Sequence, residues 1–155
     1  MKASLAALGI CALFLCSSLA LAQHENTSPY KRQNDPTLYD ELAKAPEKAR
    51  SKLNPLEKDP DAVAAGQLLF EQHCSECHGD TAQGARKGPS LLVDQVQNAE
   101  PGALFWLLTN GVVRRGMPVW SKLPEPQRWQ LVSYIKSLGA SSRKSENQPA
   151  AKPQQ

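Results

Sequence analysis

The string Cys74-Ser75-Glu76-Cys77-His78 constrains the fold and chemistry of this 155-residue chain more than any other feature. Cys-x-x-Cys-His is the sequence pattern of covalent haem attachment. Residues three and four apart lie on one face of a helical turn, so both cysteines can reach the two vinyl groups of one porphyrin. His78 is then predicted to lie below the iron as its proximal ligand. The string therefore predicts a fold built around one covalently bound haem.

The N-terminal segment, residues 1–22, is typical of a secretory signal peptide. Lys2 precedes a long apolar stretch, and Ala20-Leu21-Ala22 provides a small-residue cleavage site. We therefore expect an exported, periplasmic protein. An uncleaved segment of about 20 apolar residues would just span a bilayer, so a membrane anchor remains the alternative. Lipid attachment at Cys16 is disfavoured by the bulky residues before it.

Signal removal reduces the cysteine count. Of the four cysteines, Cys11 and Cys16 leave with the segment, and Cys74 and Cys77 remain. Two cysteines this close give no useful disulfide framework in a secreted chain. A zinc site would need a second ligand pair, and a thioredoxin-like redox pair would need a strand–helix context. The sequence offers neither, which favours haem attachment.

Composition divides the rest of the chain into three parts. Residues 23–59 are polar and contain few large apolar side chains, so they are predicted to form a flexible arm or linker. A short polar helix is possible there, but Pro46 interrupts it. Residues 60–140 are predicted to form the compact haem domain, and residues 141–155 a disordered tail.

The compact part contains helical patterns and no convincing strand, which predicts an all-α fold of three to five helices around the haem. Pro60-Asp61 suits a helix start, and this helix is expected to run into the haem motif and end at Gly79. A second helix is expected to start at Pro101-Gly102, to run from Ala103 to Thr109 and to be closed by Asn110-Gly111. The last is expected to open at Pro124 and stop at Gly139.

Met117 is the candidate distal iron ligand. It lies between Gly116 and Pro118 in a predicted loop, rather than on an apolar helical stripe, and it is the only methionine left after signal removal. The other histidines are poor candidates, since His73 directly precedes the haem motif and His24 lies in the polar arm. A thioether favours ferrous iron and raises the reduction potential. An iron with both axial positions filled favours electron transfer over catalysis.

These residues resemble the class I mono-haem cytochromes c, over the stretch from Asp59 to Leu138. In that family a glycine and an aromatic residue on the first helix cross a leucine and an aromatic residue on the last. The matching positions here are Gly66, Phe70, Leu131 and Tyr134. The resemblance also implies that the carbonyl of Pro89 accepts the proximal imidazole N–H. Trp106 and Trp129 would close the haem pocket or belong to the ordinary core.

Charge excludes one class of partner and suggests another. Residues 60–140 carry seven basic and seven acidic side chains, so the net charge of +3 lies elsewhere in the chain and does not support nucleic-acid binding. Arg114 and Arg115 precede Met117. They are predicted either to steer an acidic redox partner or to act only as solvated residues or propionate contacts.

Two classes of function follow. The first is a periplasmic electron carrier, not an enzyme, in which one haem c cycles between Fe(III) and Fe(II). Its redox partners would be a dehydrogenase or respiratory complex and an oxidase or reductase. A variant of this reading makes the chain a haem subunit of a dehydrogenase or oxidase complex. The second class, an open-site haem sensor or peroxidase-like enzyme, lacks a distal grouping of histidine, arginine and acid.

Overall fold

The computed structural model describes residues 36–146. The predicted signal peptide, residues 23–35 of the predicted arm and residues 147–155 of the predicted tail lie outside the described residues. Three long helices and four single turns follow one another in this order: α1 (Asp40–Ala43), α2 (Glu47–Arg50), α3 (Pro60–His73), α4 (Ser75–His78), α5 (Asp94–Gln97), α6 (Pro101–Asn110) and α7 (Glu125–Glu146). Within the described range no strand forms, which confirms the all-α prediction.

Helix α3 begins where the sequence predicts. The Asp59 side chain accepts a hydrogen bond from the Asp61 N–H at 2.9 Å, and Pro60 occupies the first turn. Ala62, Gly66 and Phe70 recur every four residues and form the buried face. The helix breaks at Cys74, and the haem motif continues as the separate turn α4.

Helices α3 and α7 cross in the most extensive helix–helix contact of the described chain. A Cβ atom on Gly66 would overlap the carbonyl oxygen of Gln130 and lie 2.9 Å from Tyr134 Cβ, so the two backbones approach through the missing side chain. The rings of Phe70 and Tyr134 pack with centroids 5.3 Å apart, and Leu131 is fully buried. This crossing fixes the first helix against the last.

The prediction that the last helix stops at Gly139 is wrong, because α7 continues to Glu146. Gly139 instead accommodates the side chain of Gln97. Its N–H donates to Gln97 Oε1 at 3.1 Å, and Gln97 Nε2 donates to the carbonyl of Ile135 at 3.1 Å. The glycine makes room for a buried amide. The first residues of the predicted disordered tail are therefore helical.

Residues 36–59, called the N-terminal strap below, pack on the core. Ala45 and Asn54 are buried, and Asn54 Nδ2 donates to Ser133 Oγ at 2.8 Å. A Cβ on Gly102 would lie 2.7 Å from the carbonyl oxygen of Arg50, so the strap and α6 approach backbone to backbone. The prediction of a flexible arm is thus wrong for residues 36–59, because a few buried contacts hold this segment on the core despite its polar composition.

No helix in the described part of the chain is long and apolar enough to cross a membrane.

Candidate functional site

One cavity of about 820 Å³ brings together the side chains that the sequence singled out. Cys74, Cys77, His78 and Met117 all line it. Its volume lies in the range of about 300–1,000 Å³ found for ligand pockets. Apolar side chains form much of the remaining wall, among them Phe70, Leu91, Val96, Leu104, Leu108 and Ile135. The cavity is therefore suited to a large apolar group that reacts with thiols and accepts imidazole and thioether ligands.

The His78 ring is held in one orientation by Pro89. Its Nδ1 lies 2.8 Å from the carbonyl oxygen of Pro89, which accepts only from an N–H and so sets the tautomer. Nε2 is then the ring nitrogen with a lone pair for a metal. Burial lowers the pKa of His78 below its ordinary value, and the bond to Pro89 partly opposes this shift. The net lowering of the pKa favours a neutral imidazole, which is the form that binds a metal.

The glycine-rich loop that carries Pro89 is itself anchored beside the haem motif. The Gly84 N–H donates to the carbonyl of His78 at 2.7 Å, and the Lys87 ammonium pairs with the Glu76 carboxylate. A Cβ on Gly88 would lie 2.8 Å from the carbonyl oxygen of Cys77. The loop therefore packs directly on α4, which places Pro89 next to the imidazole.

The two cysteines are free thiols that are half-buried in the cavity wall. Burial raises the pKa of the Cys74 thiol to about 12, with a smaller contribution from Cys77. Redox-active and nucleophilic cysteines have lowered pKa values, so Cys74 does not have the properties of a thioredoxin-like nucleophile. The groups of three or more metal-ligating side chains that a zinc site needs are also absent from the described residues.

Met117 is placed by a small backbone bridge at the base of a loop, residues 111–118, called the Met117 loop below. Val112 and Met117 exchange two hydrogen bonds, with N–O distances of 3.0 and 3.2 Å. Between them lie a single 3₁₀ turn and Gly116, whose φ of 91° is in the left-handed region that favours glycine. The bridge holds the thioether side chain, half-buried, in the cavity wall.

Residues 61–135, which contain all four of these side chains, match the family model described as cytochrome c oxidase, cbb3-type, subunit III. This segment is a class I c-type cytochrome domain. A domain of this class carries a covalently bound haem c with its iron. The donor set and the cavity described above fit that group.

Curated relatives are similar to about half of this chain. The chain is 34% identical over 97 residues to the cbb3-type cytochrome c oxidase subunit CcoP of Azospirillum sp. (strain B510), covering 56% of this chain and 32% of that protein. It is 34% identical over 82 residues to subunit FixP of Bradyrhizobium sp. (strain ORS 278), covering 50% and 28%. The chain thus spans about a third of the length of the curated relatives it matches.

The fold of the cytochrome domain also has a solved counterpart. It is similar to cytochrome cL from the marine methylotrophic bacterium Methylophaga aminisulfidivorans MPT, with a TM-score of 0.50 and 24% identity. The similarity covers 67% of this chain and 77% of that one. At this identity the comparison supports the fold alone.

The two arginines before Met117 occupy different environments in the cytochrome domain. Arg115 lines the cavity. Arg114 is exposed and pairs with the carboxylate of Glu41 in the strap. The pattern Arg114-Arg115 therefore does not form one uniform basic rim, since one of the two charges is already matched within the chain.

The tryptophan that lines the cavity is neither of the two named from the resemblance. Trp129 is buried in the core and stacks on Phe105, with ring centroids 4.1 Å apart, and Trp106 does not line the cavity. Trp120 does line it, and its ring lies 5.3 Å from that of His73. Trp120 lies three residues after Met117, and this proximity in sequence was the available signal.

Sequence reasoning also missed three residues of the strap, Leu38, Tyr39 and Leu42, which line the cavity of the cytochrome domain. The Tyr39 hydroxyl donates to the carbonyl of Ser90 at 3.0 Å, and burial raises its pKa above the ordinary value. Their spacing of three and four residues is that of one helical face. This was the only signal, and it is weak in a short polar segment.

Proposed function

We propose that this chain is an exported one-electron carrier with a single haem c in the cavity. Cys74 and Cys77 would hold the haem through thioether bonds, and His78 and Met117 would be the two axial ligands of the iron. The observation that supports this best is that all four side chains line one cavity. When bound, the haem supplies the Fe(III)/Fe(II) couple.

The protein side chains have separate tasks in this proposal. His78 presents Nε2 because Nδ1 donates to Pro89, and the bond keeps the ring from rotating. Met117 presents a soft sulfur that favours the ferrous state. If His78 and Met117 both bind the iron, no position on it would be left for a substrate. We therefore assign electron transfer rather than catalysis to the chain, and place the open-site sensor or peroxidase-like enzyme second.

Replacing Met117 with alanine tests the proposal. The variant should keep its haem, because the thioether cysteines are untouched, but it should open the sixth position of the iron. We expect carbon monoxide to bind the ferrous variant, and the reduction potential to fall because the thioether is lost. Absorption spectra under carbon monoxide and a redox titration measure both effects. Val119→Ala, at an exposed apolar position two residues away, is the matched control.

A Met117→Ala protein that excludes carbon monoxide and keeps the wild-type spectrum would show that another residue is the distal ligand. The electron-carrier proposal would then lose its main support.

The relatives favour one alternative arrangement, in which the chain is a haem subunit of an oxidase complex. They are named as oxidase subunits, and the family model that matches residues 61–135 is likewise described as an oxidase subunit. Cell fractionation of the producing bacterium separates the two arrangements. A free carrier should appear, after signal cleavage, in the soluble periplasmic fraction, whereas a bound or anchored subunit should remain with the membranes and with oxidase activity.

We also propose that Arg115, with a weaker contribution from Arg114, guides an acidic redox partner to the cavity rim. Arg115→Glu should slow electron transfer with the protein partner several-fold at low salt, because steering charges act on the association rate. The loss should fade near ~0.5 M salt, where screening is strong. Stopped-flow rates over a salt series measure it. An equal loss with a small uncharged reductant would assign Arg115 to the haem pocket instead.

A further inference from the structure

An ion pair links the N-terminal strap to the Met117 loop across 73 positions of sequence. Glu41 lies in α1 of the strap, and its carboxylate meets the guanidinium of Arg114 at the tip of the loop. Glu41 also accepts from Lys44 Nζ at 2.8 Å. The strap therefore contacts the loop that carries the proposed distal ligand.

The Glu41 carboxylate is well placed for this contact. Its side chain is only 13% exposed, whereas that of Arg114 is 63% exposed. The bond from Lys44, and after it the bond from Arg114, keep the pKa of Glu41 below its ordinary value. The carboxylate is thus charged, partly shielded from water and directed at a loop cation.

The strap can hold the loop because it is itself attached to the core. Tyr39 bonds to the carbonyl of Ser90 on one side of α1. Farther along the chain, Ala45 is buried and Asn54 bonds to Ser133 of α7. Moving α1 away from the loop would require these contacts to break as well. The strap therefore provides a fixed anchor for Arg114.

The tip of the Met117 loop has little other support. Val113 is 68% exposed, and nothing lies within 4 Å of the position of a Cβ on Gly116. The base of the loop is closed by the Val112–Met117 backbone bridge. The loop is thus held at its base by the Val112–Met117 backbone hydrogen bonds, and at its tip by two backbone hydrogen bonds of its own 3₁₀ turn and by the contact with Glu41.

We propose that Glu41 is a positioning residue for Met117: through Arg114 it holds the tip of the loop and so keeps the thioether in the cavity. This inference rests on the proposed role of Met117 as an iron ligand. Glu41 belongs to the strap, which precedes the cytochrome domain in sequence. The strap therefore controls how readily Met117 dissociates from the iron.

Two neutral variants of the full-length holoprotein, Glu41→Gln and Arg114→Gln, test the inference. Each should increase amide hydrogen exchange at Val112 and Met117, and each should raise the affinity of the ferric protein for cyanide. We expect increases of about two- to fivefold, the range for a single partly exposed ion pair. Glu47→Gln is the matched control, since Glu47 pairs with Arg50 within the strap and not with the loop.

The directions in which the two variants change the cyanide affinity distinguish a positioning contact from a purely electrostatic effect on the bound anion. If the residues acted only through their electric field, Glu41→Gln would raise the affinity for the cyanide anion and Arg114→Gln would lower it. An increase in cyanide affinity in both variants supports the positioning role. The double variant Glu41→Arg with Arg114→Glu restores the ion pair with its charges exchanged, and a return of the cyanide affinity toward the wild-type value would support the role further. Opposite shifts, or no shift beyond that of Glu47→Gln, would overturn it.

Met117→Ala shows which claim has failed. If Met117→Ala leaves cyanide affinity unchanged, Met117 is not the ligand, and both the proposed function and the positioning role fall. If Met117→Ala raises the affinity while Glu41→Gln and Arg114→Gln do not, the ligand assignment stands and the strap does not control it.

Discussion

Gly66→Leu should largely abolish stable folding of the cytochrome domain. A single Cβ at this position would already overlap the carbonyl oxygen of Gln130 and lie 2.6 Å from its carbonyl carbon. These are backbone atoms of α7 that cannot rotate away, so the helices must separate. Gly66→Ala should cost about 1–3 kcal/mol of unfolding free energy, although alanine is the better helix former by ~1 kcal/mol. Leucine should cost more, against a total of about 5–15 kcal/mol for a native domain.

Denaturant unfolding of the holoproteins, followed by circular dichroism, measures the effect. The matched control is Ala64→Leu, which adds a large side chain at an exposed position of the same helix. We expect the order of stability to be wild type and Ala64→Leu together, then Gly66→Ala, then Gly66→Leu. A Gly66→Leu protein as stable as Ala64→Leu would show that the close approach of α3 and α7 does not stabilise the fold.

The features predicted correctly from sequence are those with a local signature. The start of α3 follows from Asp59-Pro60-Asp61, because the cap, the proline and the acid all act within one turn. The five-residue haem motif likewise needs no distant partner to be recognised. Met117 could be singled out because few residues of its chemical type compete for the role; it lines the cavity, and its role as an iron ligand stays a prediction. In each case the relevant information lies within a few neighbouring residues.

The errors arose where a distant partner decides the outcome. Glycine is typical of a helix C-terminus, and Gly139 was therefore predicted to end the last helix. The side chain of Gln97 instead occupies the space beside Gly139, and the helix continues. The strap is polar, yet Gly102 allows it to pack on α6 through backbone atoms. The sequence alone does not distinguish Trp120 from Trp129 as a cavity residue. Only the path of the loop after Met117 brings Trp120 to the cavity.

Removing both thiols, in the double variant Cys74→Ala and Cys77→Ala, should abolish covalent haem attachment altogether. The two side chains are free thiols in the wall of the cavity, and they are the only cysteines outside the predicted signal peptide. Each single variant should keep one thioether bond and therefore retain covalent haem, with an absorption spectrum shifted by the unreacted vinyl group. His78 is unchanged in all three variants, so any remaining haem would be held by coordination alone in the double variant.

Coexpression with a haem-maturation system, followed by acid denaturation and extraction into organic solvent, distinguishes covalent from coordinated haem. Wild-type haem should stay with the polypeptide, and haem of the double variant should enter the solvent. Glu76→Gln is the control, because it alters the same turn and its pairing with Lys87 but keeps both cysteines. Haem that remains with the double variant would mean that attachment uses another residue. Haem that leaves the wild-type protein would mean that Cys74 and Cys77 do not bind it covalently and that it is held by coordination alone.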